Sequence, residues 1–282
     1  MISSKAHGFT LIELVMVIVI VGILAGLSTQ LITLPVTSYL NLQRRTTLVN
    51  TADSALRRMQ RDIRQALPNS LRITEGGTVI ELLHTIDGGR YRKSSATLSS
   101  SASLPPDAGC GSLAADVLNI PLSDDCFEIL GTLSDEFKST KPITDQYLVV
   151  FNTGDSAGNA YADNINKAKL TQLSTNFIKF NAFAFPLASP EQRFFIVDTP
   201  IAYACINKQL LRYDFYPITA IQPNLPSSEF GQVQADNIAS CEFTYATGTA
   251  TRSGLVTLKI TLTDAAGESV QLLHQVHVDN LP

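Results

Sequence analysis

The chain has 282 residues, of which 45 % are hydrophobic and 16 % charged, with a formal net charge of −4 at pH 7. This composition is typical of a globular protein of one large or two small domains, and it shows neither the basic excess of nucleic-acid-binding proteins nor an acidic tail. Trp is absent and aromatic residues make up only 7 %, so composition does not predict an aromatic platform for carbohydrate.

The N-terminal part of the chain is a polar leader, residues 1–8, followed by an apolar run over residues 9–34. A helix of about 20 apolar residues crosses a membrane, so this run is long enough to span. Lys5 precedes the run and no basic residue follows before Arg44, which directs the C-terminal part outward. A cleavable signal peptide has a shorter apolar core and a cut site after it. A plain membrane anchor leaves Glu13 unexplained, because a carboxylate inside the membrane costs about 2.5–3.5 kcal/mol and usually has a partner.

The stretch GFTLIELVMVIVIVGILAG, residues 8–26, resembles the start of type IV pilins and of type II secretion pseudopilins. The shared pattern is a short basic leader, Gly, Phe, three residues, Glu and an apolar helix. The resemblance implies that a prepilin peptidase of the inner membrane cuts between Gly8 and Phe9 and methylates the new amino terminus at Phe9. It also implies that Glu13 faces the terminal amine of a neighbouring subunit during assembly, which offsets the cost of burying the carboxylate. Glycine suits the cut site because a residue without Cβ allows close approach to the backbone.

The apolar run departs from the commonest pilin pattern, in which a proline interrupts it. The first proline here is Pro35, and an interior proline removes a helix hydrogen bond. Any break in the helix is therefore expected at a shifted position, which makes a role as the major subunit less favoured.

An amphipathic second half of the helix is predicted over residues 35–68. Its end is predicted at Pro68-Asn69, and i,i+4 pairing is expected for Asp53 with Arg57 and for Arg58 with Asp62. The apolar residues at helical spacing predict a stripe that packs against the globular domain; they are Leu42, Val49, Ala52, Leu56, Met59, Ile63 and Ala66. Residues 44–72 contain seven Arg and two Asp, a net charge of +5, which indicates either a solvated helix face or a contact with a filament or anionic lipid.

A narrower resemblance is carried by LRRMQRDIRQALPNSLRI and IDGGRYR, within residues 56–92. These stretches resemble the O-type minor pilins of mannose-sensitive haemagglutinin (MSHA) pilus systems. The J-type pseudopilins of type II secretion and the W-type minor pilins are similar to these.

Residues 69–282 are predicted to form a β-rich head, with short runs rich in Val, Ile, Phe and Tyr. Hairpin turns are predicted at 75–77 (Glu-Gly-Gly), at 87–89 (Asp-Gly-Gly) and at 264–267. Residues 94–112 are predicted to form an exposed Ser/Pro/Gly loop. We expect an α+β, pilin-like fold: a long N-terminal helix, half transmembrane and half amphipathic, packed on a largely antiparallel head of two sheets, one of them on the helix.

The four cysteines are Cys110, Cys126, Cys205 and Cys241, and none forms a CxxC pair. An even number of cysteines beyond a membrane-targeting segment indicates disulfides in an oxidising compartment. Three pairings are possible, of which we favour the sequence neighbours, Cys110–Cys126 and Cys205–Cys241. The alternative is four buried free thiols.

No enzyme motif is present, so we expect no catalytic residues, no cofactor and no small-molecule substrate. His274 and His277 have HxxH spacing, but three residues apart on a strand puts them on opposite faces, which is poor for a shared metal. Asp155, Asn159 and Asp163 could offer oxygen ligands to calcium, although Asp and Asn are also ordinary loop residues and the spacing fits no EF-hand. We therefore expect a plain loop and no metal.

Three functions remain open from the sequence. The first is a minor pilin of an MSHA-like type IV pilus, in the complex that starts or caps the filament, with other minor pilins, the major pilin and the prepilin peptidase as partners and with no nucleic acid. The second is a J-type minor pseudopilin, and the third is an adhesin carried on the pilus. In each case the chain is expected to cross the inner membrane once with its head in the periplasm. As a pilin it would then move to the pilus at the cell surface. Because Glu13 is present, we expect a place just beneath the tip subunit.

Overall fold

The computed structural model describes residues 8–74, 76–93, 110, 117–134, 145–221, 225–248 and 253–278. The predicted loop over residues 94–112 lies outside these ranges, apart from Cys110.

One long helix, α1 (Leu11–Arg64), contains 54 residues and is therefore about 80 Å long. Pro35 lies inside the helix without ending it. The helix ends at Arg64 rather than at Pro68-Asn69, because the chain that follows pairs with a strand of the head: the amide of Leu67 donates to the carbonyl of Leu83 at 2.9 Å.

The head contains twelve strands in the described residues. They are β1 (Arg72–Ile73), β2 (Val79–Tyr91), β3 (Asp124–Leu130), β4 (Tyr147–Val150), β5 (Ala168–Leu173), β6 (Phe177–Phe183), β7 (Arg193–Ile206), β8 (Gln209–Tyr213), β9 (Gln232–Ala235), β10 (Ile238–Ala246), β11 (Gly254–Thr263) and β12 (Ser269–Val278). A short 3₁₀ turn, Ser228–Phe230, precedes β9. These strands form a nine-stranded sheet in the order β1-β2-β3-β6-β5-β4-β7-β8-β9 and a three-stranded sheet, β10-β11-β12. Every pairing is antiparallel. The α+β fold with two sheets is thus confirmed.

Part of the nine-stranded sheet closes on itself. Strands β2 and β7 also pair with each other, which joins β2, β3, β6, β5, β4 and β7 into a ring. The ring uses only one half of each long strand, residues 85–91 of β2 and 193–197 of β7. The other halves, residues 79–83 and 200–204, pair in the part of the sheet that faces the helix. The two largest cores of the described head therefore lie inside the ring and beneath α1, and two smaller apolar clusters accompany them.

The core inside the ring is aromatic. The Phe127 ring lies at its centre, with edge-on contacts to the rings of Tyr91, Phe180 and Phe194 at centroid distances of 6.3, 6.2 and 5.2 Å. All four side chains are buried. Edge-to-face aromatic pairs add about 0.5–1.5 kcal/mol each beyond the area that they bury, so this core helps to hold short, irregular strands in a closed ring.

The predicted turn at 87–89 is wrong, because these residues lie inside the continuous strand β2. The two glycines have a packing role instead. A Cβ on Gly88 would lie 2.9 Å from the backbone carbonyl oxygen of Phe194, and a Cβ on Gly89 would lie 2.9 Å from Cζ of the Phe194 ring. The Asp-Gly-Gly sequence thus marks a close approach of β2 and β7. The predicted turn at 264–267 does connect two paired strands, β11 and β12. The predicted turn at 75–77 includes Glu75, which lies outside the described residues; the strands on either side of it, β1 and β2, are paired.

The second core packs the C-terminal half of α1 against both sheets. Its helix residues are Leu48, Ala52, Ala55, Leu56, Met59 and Ile63, and strand side chains from both sheets complete it, among them Tyr203, Leu210, Phe243, Leu258 and Ile260. The predicted stripe is correct from Val49 onward but wrong at Leu42, whose side chain is 63 % exposed. The head begins to cover the helix only at Leu48.

Two disulfides are present, Cys110–Cys126 and Cys205–Cys241. These are the neighbour pairings that we favour from the sequence. The second joins β7 to β10 and so links the two sheets that enclose the helix.

A polar anchor fixes the end of α1 to the head. The Asp62 carboxylate accepts hydrogen bonds from the Tyr203 hydroxyl at 2.7 Å and from Nε of Arg212 at 2.8 Å. Burial, with the adjacent Asp62 charge, raises the pKa of Tyr203 well above its ordinary value. The expected pair of Asp62 with Arg58 is therefore wrong, because the carboxylate is used for a tertiary contact that helical spacing does not reveal.

Candidate processing and assembly site

The residues at the predicted cut site are not packed against the described part of the head. Gly8 has no heavy atom within 4 Å of the position that a Cβ would take, and the Phe9 side chain is 76 % exposed. Helix α1 begins two residues later, at Leu11. The bond between Gly8 and Phe9 thus precedes the helix, in a segment that a peptidase could bind in an extended form.

Glu13 lies in the first turn of α1 and takes part in a capping box with Thr10. The Glu13 amide donates to Oγ1 of Thr10 at 3.4 Å, and the Thr10 amide donates to Oε2 of Glu13 at 3.5 Å. This arrangement satisfies two backbone donors at the helix start. This capping role was not predicted above, although the Thr-x-x-Glu spacing of residues 10–13 is a sequence signal for it. Glu13 thus has a local contact in addition to the predicted intermolecular one.

No described residue supplies a countercharge to the Glu13 carboxylate. Both hydrogen bonds are long for their type. Glu13 is also the only formally charged side chain between Gly8 and Gln43. A carboxylate at the start of a helix is favoured by the helix dipole, by about 0.3–1 kcal/mol, which is less than the cost of placing it in a membrane. A positively charged group must therefore pair with the Glu13 carboxylate to offset the rest of the cost of placing it in the membrane.

The first part of α1 is an uncovered apolar rod. Residues Leu11–Ser28 have a mean hydropathy of 2.7, and none of this window is buried in the protein. Residues 35–47 are also exposed. At 1.5 Å per residue, about 30 Å of helix separates Ser28 from Leu48, where the head begins. This length and composition suit a membrane span and then a segment that other helices can pack against.

The three weak candidates for calcium ligands make contacts within their own loop. Oδ1 of Asp155 accepts hydrogen bonds from the Thr153 hydroxyl and from the amides of Ala157 and Gly158, which lowers its pKa. Oδ1 of Asn159 accepts from the Tyr161 amide at 2.9 Å. Asp163 forms an ion pair with Lys167 at 2.9 Å. The structure therefore places these oxygens as turn-forming groups and does not bring them together.

The two C-terminal histidines lie on β12. Nε2 of His274 lies 3.8 Å from Oδ1 of Asp53, a contact with the helix, and His277 is exposed. Among the described residues, no group of three or more His, Cys, Asp or Glu side chains is placed to hold a metal.

The basic face of α1 is partly paired. Nε of Arg57 lies 2.6 Å from Asp53, as the i,i+4 spacing predicts. Arg61 and Arg64 are exposed at the end of the helix. This distribution fits a solvated face, one of the two alternatives drawn from the sequence.

Comparison with protein families identifies one match: residues 3–29 match the prokaryotic N-terminal methylation motif. A search of curated proteins finds no match, and a search of solved structures finds none either. The matched segment contains Gly8, Phe9 and Glu13, and it precedes a head with the pilin-like α+β arrangement. A signal of this class implies processing by a prepilin peptidase and assembly with other pilins. It supports a structural, pilin-like subunit that is anchored in a membrane and associated with a pilus.

Proposed function

We propose that this chain is a minor pilin of an MSHA-like type IV pilus and that it belongs to the complex that initiates the filament. The observation that supports this most strongly is the first part of the helix α1. It carries most of the methylation motif and an apolar segment, Leu11–Ser28, that no described residue buries, and Glu13 is the one charged side chain in that segment. The likeness of residues 56–92 to O-type minor pilins supports the choice of pilus system.

In this proposal the N-terminus acts in two steps. A prepilin peptidase cuts between Gly8 and Phe9 and methylates the amine of Phe9, so that each processed subunit has one ammonium and one carboxylate, that of Glu13, near the start of its helix. In the low dielectric of the membrane, an ammonium from one subunit pairs with Glu13 of its neighbour. Because the pair forms only between complementary helices, it favours association in the correct register.

The rest of α1 and the head then supply the remaining contacts. The exposed segment at residues 35–47 gives neighbouring helices about 20 Å of surface beyond the membrane span. The anchor at Asp62 holds the head rigidly at the far end. Because Glu13 is present, we place the chain just beneath a tip subunit, with its head projecting from the bundle of helices.

The alternative is a J-type pseudopilin, because the pseudopilins of type II secretion share this N-terminal motif and apolar helix. The experiment that separates the two is a deletion of the chain, with surface pili, protein secretion and attachment measured on the same cells. Loss of pili with normal secretion supports the proposal. Normal pili with lost secretion would show a pseudopilin, and normal pili with normal secretion and lost attachment would show that the chain is not needed to build the filament.

A further inference from the structure

A cleft in the head is lined, among the described residues, by none from α1 and by none used in the assembly proposal. Its volume is about 570 Å³, within the range of about 300–1,000 Å³ that small-molecule sites occupy. It is bounded by the start of β4, the loop before β5, the middle of β7 and the connection that follows β8. The residues that line it include Asp145, Asp163, Lys167, Asp198 and Phe215.

Phe215 forms one wall of this cleft and is 82 % exposed. Its φ is 55°, in the left-handed region that bulky residues rarely adopt. The next residue explains how the backbone is held there: Tyr216 is buried, and its hydroxyl donates to Oε1 of the buried Glu81 at 2.7 Å. The structure thus keeps an aromatic ring in water at a cost in backbone strain, and such outliers cluster at ligand sites.

The charged groups that line the cleft are paired. Lys167 has a side chain only 8 % exposed, held by the Asp163 carboxylate at 2.9 Å and by the Tyr161 carbonyl at 3.3 Å. Each of the three carboxylates that line the cleft has a basic partner: Asp145 with Lys169, Asp163 with Lys167, and Asp198 with His84. The site therefore does not select a strongly charged ligand. It offers the solvent-exposed carboxylate oxygens of Asp145 and Asp163 beside an aromatic ring.

We propose that this cleft binds a glycosyl unit, with an apolar C–H face of the sugar ring packed on Phe215 and the sugar hydroxyls bonded to the carboxylates of Asp145 and Asp163. A neutral polyhydroxylated ring matches the cleft because it has many donors and acceptors, no net charge and one apolar face. A peptide side chain offers fewer hydroxyls, and an ionic ligand would have to compete with the existing ion pairs. The inference adds a binding activity to the assembly role and does not depend on that role.

The test uses the full chain in micelles of a zwitterionic detergent, since a detergent with a sugar headgroup would compete for the cleft. The probes are methyl hexopyranosides, methyl N-acetylhexosaminides and their disaccharides, and binding is read by saturation-transfer NMR. The test variant is Phe215→Asn, which removes the ring and keeps a residue that tolerates a left-handed backbone. The matched control is Phe230→Asn, because Phe230 is 74 % exposed in the 3₁₀ turn and does not line the cleft.

We expect transfer to the C–H protons of at least one glycoside, weakened about fivefold or more by Phe215→Asn through the lost ring contact and unchanged by Phe230→Asn. Both variants should unfold at or above the wild-type temperature, and cells carrying Phe215→Asn should keep normal pili and lose attachment. Absence of transfer to every probe overturns the proposal, as does transfer that Phe215→Asn leaves intact. Loss of pili in Phe215→Asn cells, with transfer to glycosides retained, would show that the cleft docks another subunit.

Discussion

Replacing Asp62 by Asn tests whether the polar anchor between α1 and the head contributes to stability. Both donors, the Tyr203 hydroxyl and Nε of Arg212, bond to the same oxygen, Oδ2. An Asn side chain can keep an oxygen there but not the charge. A hydrogen bond to a charged group contributes about 1.5–3 kcal/mol and a neutral one about 0.5–1.5 kcal/mol. Two such bonds weakened by about 1–1.5 kcal/mol each predict a loss of about 2–3 kcal/mol in the free energy of unfolding. Arg212 keeps its ion pair with Asp214, so the lower half of this range is expected.

The matched control is Asp53→Asn, the same substitution on the same helix. Asp53 pairs with Arg57, whose side chain is 72 % exposed, so its loss should cost about 0.2–0.5 kcal/mol. The assay is urea unfolding of the full chain in detergent micelles, followed by near-ultraviolet circular dichroism of the tyrosines. If Asp62→Asn and Asp53→Asn unfold at the same urea concentration, the anchor contributes nothing and the reasoning is refuted.

Three further predictions concern the head. Gly89→Ala should lower the free energy of unfolding by about 1–3 kcal/mol, since the new Cβ would press on the Phe194 ring; an unchanged urea midpoint would show that the ring can move aside. The pKa of His84 is raised above its ordinary value of 6.5, first by a hydrogen bond to its carboxylate partner on β7 and against the effect of burial. Wild type should therefore be more stable than His84→Gln by about 1 kcal/mol. This difference should be complete below pH 6.5 and should disappear as pH rises through the raised pKa. If the urea midpoints of the two proteins differ by the same amount at about pH 5.5 and at about pH 8.5, the prediction is contradicted. Replacing Cys205 and Cys241 together by Ala should cost about 3 kcal/mol, and a thermal scan that matches wild type would show that the link between sheets is dispensable.

Features with a local signal were predictable from the sequence. The Gly-Phe-x-x-x-Glu spacing, the apolar run and the turn at 264–267 each depend on a few adjacent residues. The buried helix stripe followed from spacing alone over residues 49–66. The residue at which the buried stripe starts could not be predicted in this way. Leu42 is as apolar as Leu48, and only the position of the head decides which of the two side chains it covers.

Features that depend on distant pairings were not predictable. The ring of six strands closes through β2 and β7, which are about 100 residues apart in the chain, and neither strand indicates its partner. The Asp-Gly-Gly stretch is a common turn signal, but its glycines are needed for the approach of the Phe194 backbone and ring. Asp62 could pair locally with Arg58, and the tertiary contact with Arg212, 150 positions away, replaces that pair. The cleft at Phe215 depends on four separate segments, and an aromatic content of 7 % gave no sign of it.

The central claim is that the charge of Glu13, and not its capping contact, joins this chain to other pilins. Glu13→Gln separates the two, because a Gln side chain can still accept from the Thr10 amide but carries no charge; Thr10→Ala removes the hydroxyl cap and keeps the charge. The measurement is the amount of minor pilin that co-purifies with each variant, with the new N-terminus at Phe9 checked by mass spectrometry. We predict that all variants are cut after Gly8, that Glu13→Gln and Glu13→Ala both lose most of their partners, and that Thr10→Ala keeps them. Normal co-purification of Glu13→Gln would contradict the account.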